Sequence, residues 1–120
     1  METSLIISFG SQTKGRATNR SDFDFAALDR APLSLSKRTK IGERLSKKYD
    51  INEDKIDLVD LSTASPLLKY EVATTGKLVE GTQFNFIRFK VRAWKEYLDT
   101  AKFRRLREKS IKQYVQRLHS

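Results

Sequence analysis

The sequence predicts an α+β domain, a small mixed sheet flanked by helices with a helical C-terminal appendage. Three observations carry this. Short apolar, strand-like runs occupy the first 61 residues, at Leu5–Phe9, Asp22–Leu28 and Ile56–Leu61. Helical segments with readable start signals separate them. From about Gln83 the apolar spacing is helical almost to the end.

Residues 4–9 read as a buried strand, and Gly10-Ser11 then opens a short helix over Gln12–Arg16 that closes near Gly15. Ala17–Ser21 is a turn. Asp22–Leu28 has period two, with Phe23 and Phe25 on one face and Asp22 and Asp24 on the other. Pro32 breaks the chain, and Ser34 or Ser36 caps a helix to about Lys48 that buries Ile41 and Leu45. The strand Ile56–Leu61 alternates again, setting Asp57, Val59 and Leu61 opposite Ile56, Leu58 and Asp60.

Ser65-Pro66 is a capping residue followed by proline at the first helical position, and that helix stops near Gly76. Lys77–Glu80 reads as a short edge strand ending in a turn at Gly81. Beyond it Phe86, Phe89, Ala93 and Tyr97 recur at helical steps, as do Phe103, Leu106, Ile111, Tyr114 and Leu118, with a break near Asp99-Thr100. Trp94 and the aromatic series are expected to form core or a partner-contact surface.

At 120 residues the chain is expected to be one domain. No apolar run reaches membrane-spanning length, and METSLIISFG lacks the basic and extended apolar regions of a signal peptide, so a cytoplasmic location is expected. The absence of cysteine excludes disulfides and thiolate metal sites. The net charge of +9 is uneven: residues 1–81 hold 13 Lys/Arg against 12 Asp/Glu, and residues 82–120 hold 11 against 3. A basic tail of this kind meets an acidic partner or forms a solvated helix face.

The chemistry concentrates in FGSQTKGRATNRSDFDF, Phe9 to Phe25, where ten residues separate Gly10-Ser11 from Asp22-x-Asp24. Gly10 lets backbone approach a phosphate, and Ser11 offers a hydroxyl at a helix N-terminus. Lys14 or Arg16 adds phosphate contacts. Asp22 and Asp24, on one sheet face, suit Mg²⁺, which binds through one or two carboxylates plus substrate phosphates. Asp57 is the best-placed third carboxylate for a two-metal in-line displacement. Asp60 points away from it, Asp54 falls in the preceding turn, and His119 lies too near the C-terminus for a catalytic role.

Gly10-Ser11, ten residues, then Asp22-x-Asp24 resembles the signature of the polymerase-β-like nucleotidyltransferase superfamily, and Ile56-Asp57-Leu58-Val59 looks like its third-carboxylate strand. The size, with Lys69–Val72 and Gly76–Val79, is similar to the minimal nucleotidyltransferases. Arg92–Asp99 within Phe89–Arg105 resembles the MntA-like antitoxins of MNT/HEPN toxin–antitoxin modules. The resemblance implies a polymerase-β-like core over 1–82 and a basic helical segment over 83–120 packed on the core or a partner. It implies ATP and Mg²⁺ as cofactors, with Asp22, Asp24 and Asp57 as metal ligands, Asp57 helping to deprotonate the acceptor hydroxyl, and Gly10 and Ser11 on the β/γ-phosphates. It further implies AMP transfer to a tyrosine of a cognate HEPN ribonuclease toxin in a hetero-oligomer.

The competing expectations are a non-catalytic antitoxin that masks its toxin and a transferase for a small hydroxylated acceptor. Nucleic acid is not expected as the main ligand, because no base-reading motif accompanies the basic tail. Relatives commonly carry a helix before the first strand, whereas here Leu5 follows Met1 closely. A naturally short form or a misassigned start is expected.

Overall fold

The computed structural model describes residues 5–10 and 23–119. The elements run β1 (Leu5–Phe9), β2 (Phe23–Leu28), α1 (Leu35–Tyr49), a 3-10 turn (Glu53–Lys55), β3 (Ile56–Asp60), α2 (Pro66–Thr75), β4 (Lys77–Glu80), α3 (Gln83–Asp99) and α4 (Ala101–His119). The expected helix over Gln12–Arg16 lies outside the described residues.

The strands form one sheet in the order β3-β2-β1-β4. β1 pairs antiparallel with both β2 and β4, whereas β2 and β3 are parallel. A parallel neighbour needs a crossover, and α1 provides it. Strand alternation then sorts the side chains into two cores. On one face Ile6, Phe25 and Ala27 pack with Leu33, Ile41 and Leu45, the last two from α1. On the other, Leu5, Ile7, Phe9 and Ala26 meet Val72 and Ala73 of α2 and Phe86, Phe89 and Ala93 of α3.

The helix boundaries follow from local chemistry. The Ser34 hydroxyl accepts from the Lys37 N–H at 3.1 Å, and Lys47 and Lys48 lie in the last turn of α1, where cations favour the helix dipole. Asp50 ends that helix in the left-handed region at φ 53°, a conformation aspartate tolerates better than most residues. The Ser65 hydroxyl accepts from the Leu68 N–H, with Pro66 following where its missing N–H costs nothing. Gly76 ends α2 against β1, and any side chain there would run into Ile7 and the Val72 carbonyl.

α2 and α3 are tied by more than apolar packing. Lys69 pairs with Glu96 at 3.3 Å. The Tyr70 and Tyr97 rings stack with centroids 3.9 Å apart, and the Arg104 guanidinium covers Tyr97 at 3.7 Å while donating to its carbonyl. This stack joins α2, α3 and the first turn of α4. Beyond it, none of residues 101–118 is buried, so the apolar series of α4 is exposed in the isolated chain.

Candidate active site

Parallel register sets Asp24 of β2 beside Asp57 of β3, and antiparallel register sets Phe9 of β1 on the other side of Asp24. All three lie on the face covered by α2 and α3: Phe9 belongs to that core, and Asp24 and Asp57 alternate with Phe23, Phe25, Ile56 and Leu58, which pack on the α1 side. Neighbouring strands stand about 4.8 Å apart, which puts the two carboxylates within reach of a common ligand. Asp57 is exposed and Asp24 half-buried, at the edge where the apolar core gives way to solvent.

Gly10 closes the site from β1. Its φ of +85° is in the region that disfavours side chains, and a Cβ there would stand 2.6 Å from Asp24 Oδ2. The absence of a side chain therefore lets the backbone after β1 lie against the Asp24 carboxylate. A cleft of about 350 Å³ opens beside these residues, lined by Ser8, Phe9, Phe23, Asp24, Phe25 and, from the end of α1, Tyr49, Asp50 and Ile51. Sequence reading did not single out Tyr49–Ile51; the left-handed Asp50, which turns the chain after α1, is the feature that brings them there.

A larger cleft of about 630 Å³ lies at the opposite end of the strands, where Leu5 pairs with Leu28. Asp24 is four residues of extended chain away, roughly 13 Å. Asp24 thus lines the smaller cleft and not the larger one.

Of the residues singled out from sequence, the fold brings together Gly10, Asp24 and Asp57. Ser11, Lys14, Arg16 and Asp22 lie outside the described residues. Among the described residues there is no group of three or more His, Cys, Asp or Glu able to hold a metal. The two carboxylates nonetheless fit the needs of Mg²⁺, a hard cation that takes oxygen ligands and binds through one or two carboxylates.

Asp60 has a different employment. It projects to the α1 side and is buried, accepting from the Leu33 N–H at 2.8 Å, the Ser62 N–H at 3.0 Å and the Ser62 hydroxyl at 2.7 Å. Burial pushes its carboxyl up, but these hydrogen bonds and the Arg38 charge outweigh it and hold the group below the usual value. Asp60 pins the segment after Pro32 to the end of β3.

The family model for polymerase beta nucleotidyltransferases matches residues 1–84. Protein adenylyltransferase MntA of Shewanella oneidensis is 38% identical over 79 residues, 66% of this chain and 55% of that protein. The matched region thus spans about half of that relative. Protein adenylyltransferase MntA of Aphanizomenon flos-aquae is 31% identical over 121 residues, 94% of this chain and 81% of that protein. Among solved structures, a toxin–antitoxin with AMP-PNP superposes with a TM-score of 0.74 at 30% identity, covering 92% of this chain and 88% of that one. An MNT antitoxin in complex with a tri-AMPylated Shewanella oneidensis HEPN toxin gives a TM-score of 0.66 at 29% identity, covering 91% and 83%. With a matching family model over most of its length and this sheet beneath its carboxylates, the chain belongs to the polymerase beta nucleotidyltransferase family.

Proposed function

We propose that this chain transfers AMP from ATP to a tyrosine hydroxyl of a cognate HEPN ribonuclease toxin and so acts as its antitoxin. The observation that carries the reading is the in-register pair Asp24–Asp57, with Gly10 backbone packed against Asp24. Support for the acceptor comes from the adenylyltransferase relatives and from the toxin–antitoxin structures that share the fold.

In the reaction, the acceptor oxygen forms a bond to the α-phosphorus while the bond from that phosphorus to the bridging oxygen breaks, and pyrophosphate leaves. Asp57, more exposed than Asp24, takes the acceptor proton; Asp22, Asp24 and Asp57 would hold the metal. Mg²⁺ bound there supplies charge neutralisation for the triphosphate and the developing oxyanion. Gly10 gives the triphosphate a close approach to backbone, and Ser11 and Lys14 are proposed to complete the phosphate contacts. No helix among the described residues is long and apolar enough to cross a membrane.

The test is incubation with Mg²⁺, α-labelled ATP and the product of the neighbouring gene as the HEPN partner. Label on the partner that disappears with Asp24→Ala and Asp57→Ala supports the reading. Neutralisation that survives both substitutions without label transfer overturns it in favour of masking by binding. Turnover of a small hydroxylated acceptor with no protein partner overturns it in favour of small-molecule transfer.

A further inference from the structure

α3 is amphipathic twice over. Phe86, Phe89 and Ala93 enter the core, yet Phe84, Ile87, Val91, Trp94 and Leu98 lie along the outer surface, each more than half exposed. These five recur at steps of three, four, three and four, the spacing of a coiled-coil seam. From Phe84 to Leu98 the seam runs about 21 Å at 1.5 Å per residue. Val91 and Trp94 also form one wall of a groove of about 420 Å³, with Lys90 beside them and Tyr70, Ala73 and Thr74 of α2 opposite. A single helix laid along α3 would set apolar side chains into both seam and groove.

The charges beside the seam decide what such a helix carries. Arg88 and Lys95 follow the seam residues Ile87 and Trp94, and Lys90 precedes Val91; all three are exposed. Arg88 stands over the Phe84 ring, 5.7 Å from its centroid, at the seam's edge. A second copy of α3 would bring cations against cations in either direction, and α4 offers the same sign, with seven Lys/Arg against Glu108. Flanking charges of this kind select the partner of opposite sign.

We propose that the outer face of α3 docks an amphipathic helix with acidic flanks, carried by the acceptor protein. This rests on the functional reading above only in taking the HEPN protein as the bearer of that helix. The α2–α3 layer covers the sheet face that bears Asp24 and Asp57, so a protein held there approaches from the side of the carboxylates.

Trp94 is the sole tryptophan, which makes it a site-specific reporter. The chain labelled with 5-fluorotryptophan is titrated with the HEPN protein in the absence of ATP and followed by ¹⁹F NMR. The expected result is one resonance that shifts and saturates, with Kd raised at least tenfold by Val91→Asp and by the paired reversal Arg88→Glu, Lys95→Glu. Melting curves establish that these surface variants fold. A Trp94 resonance that stays put while the proteins co-elute, or Val91→Asp binding as tightly as the native chain, overturns the proposal. A shift driven by the chain's own concentration overturns it in favour of self-association. Asp24→Ala separates the two readings: it is expected to bind normally and transfer nothing, so transfer can fail while docking stands. Conversely, unchanged KM for the HEPN protein in Val91→Asp overturns docking and leaves transfer intact.

Discussion

Asp24 and Asp57 face the same side of the sheet as direct partners in the parallel pairing of β2 with β3, two carboxylates brought together across 33 residues of chain. Asp24→Asn and Asp57→Asn are expected to lower AMP transfer by about a hundred- to a thousandfold, the scale seen when one preorganised electrostatic group is removed from a transition state. Asp57 is exposed, so its loss should change stability by no more than about 0.5 kcal/mol. Labelled-AMP transfer and a thermal melt on the same preparation check both halves. A large melting shift with retained transfer would make Asp57 structural.

Gly10→Ala tests the close approach on the opposite side of Asp24. The left-handed backbone costs a side-chain-bearing residue about 1–2 kcal/mol, and the new Cβ would meet Asp24 Oδ2 at 2.6 Å. The carboxylate has to swing from its place beside Asp57. Initial rates should show a fall in kcat of at least tenfold together with a raised KM for ATP. Unchanged kinetics would mean that the approach of Gly10 to Asp24 is dispensable.

Much of this was legible in the sequence because period-two alternation is local. Phe23 and Phe25 opposite Asp24, and Asp60 opposite Asp57, follow from the alternation alone, and Ser34, Ser65 and Gly76 mark their helix ends. The sequence singled out Asp57 as the third carboxylate, but its register directly opposite Asp24 was not legible, because register across a crossover depends on how α1 packs. Nor was the task of Asp60, whose partner Leu33 lies 27 residues away. In α3 two apolar stripes share one helix, and only the position of the sheet decides that Phe86, Phe89 and Ala93 go inside while Trp94 stays out. The apolar spacing of α4 reads like a core helix, yet none of its residues 101–118 is buried.

Phe89 joins α3 to the sheet core alongside Leu5, Ile7 and Phe9. Phe89→Ala should destabilise the chain by about 3–5 kcal/mol through lost burial and a residual cavity. The same packing predicts unequal truncations. A chain ending at Thr100 removes no buried residue of α4 and should retain a cooperative melt. One ending at Thr82 strips Phe86, Phe89 and Ala93 from the core and should lose that melt. Circular dichroism of the two truncated chains decides the matter, and a cooperative melt for the shorter one would place α3 outside the folding unit.

Asp60 supplies the pH dependence. Its carboxyl is held below the usual value in the folded chain, so the stabilisation is fully present above the unfolded value near 3.8. It is lost as pH falls through the lower folded value, because protonation removes the charge that the Leu33 and Ser62 donors favour. Asp29, held low chiefly by its hydrogen bond from Lys37, acts with the same sign. Asp60→Ala leaves the buried Leu33 N–H without its acceptor and should cost about 2–3 kcal/mol at neutral pH. Asp60→Asn keeps the shape but cannot ionise, so its melting temperature should fall less steeply than the native chain's on acidification below pH 4. Both variants retain Asp24 and Asp57 and should still transfer AMP at temperatures where they are folded. Equal acid sensitivity in the native and Asp60→Asn chains would assign the acid transition to other carboxylates.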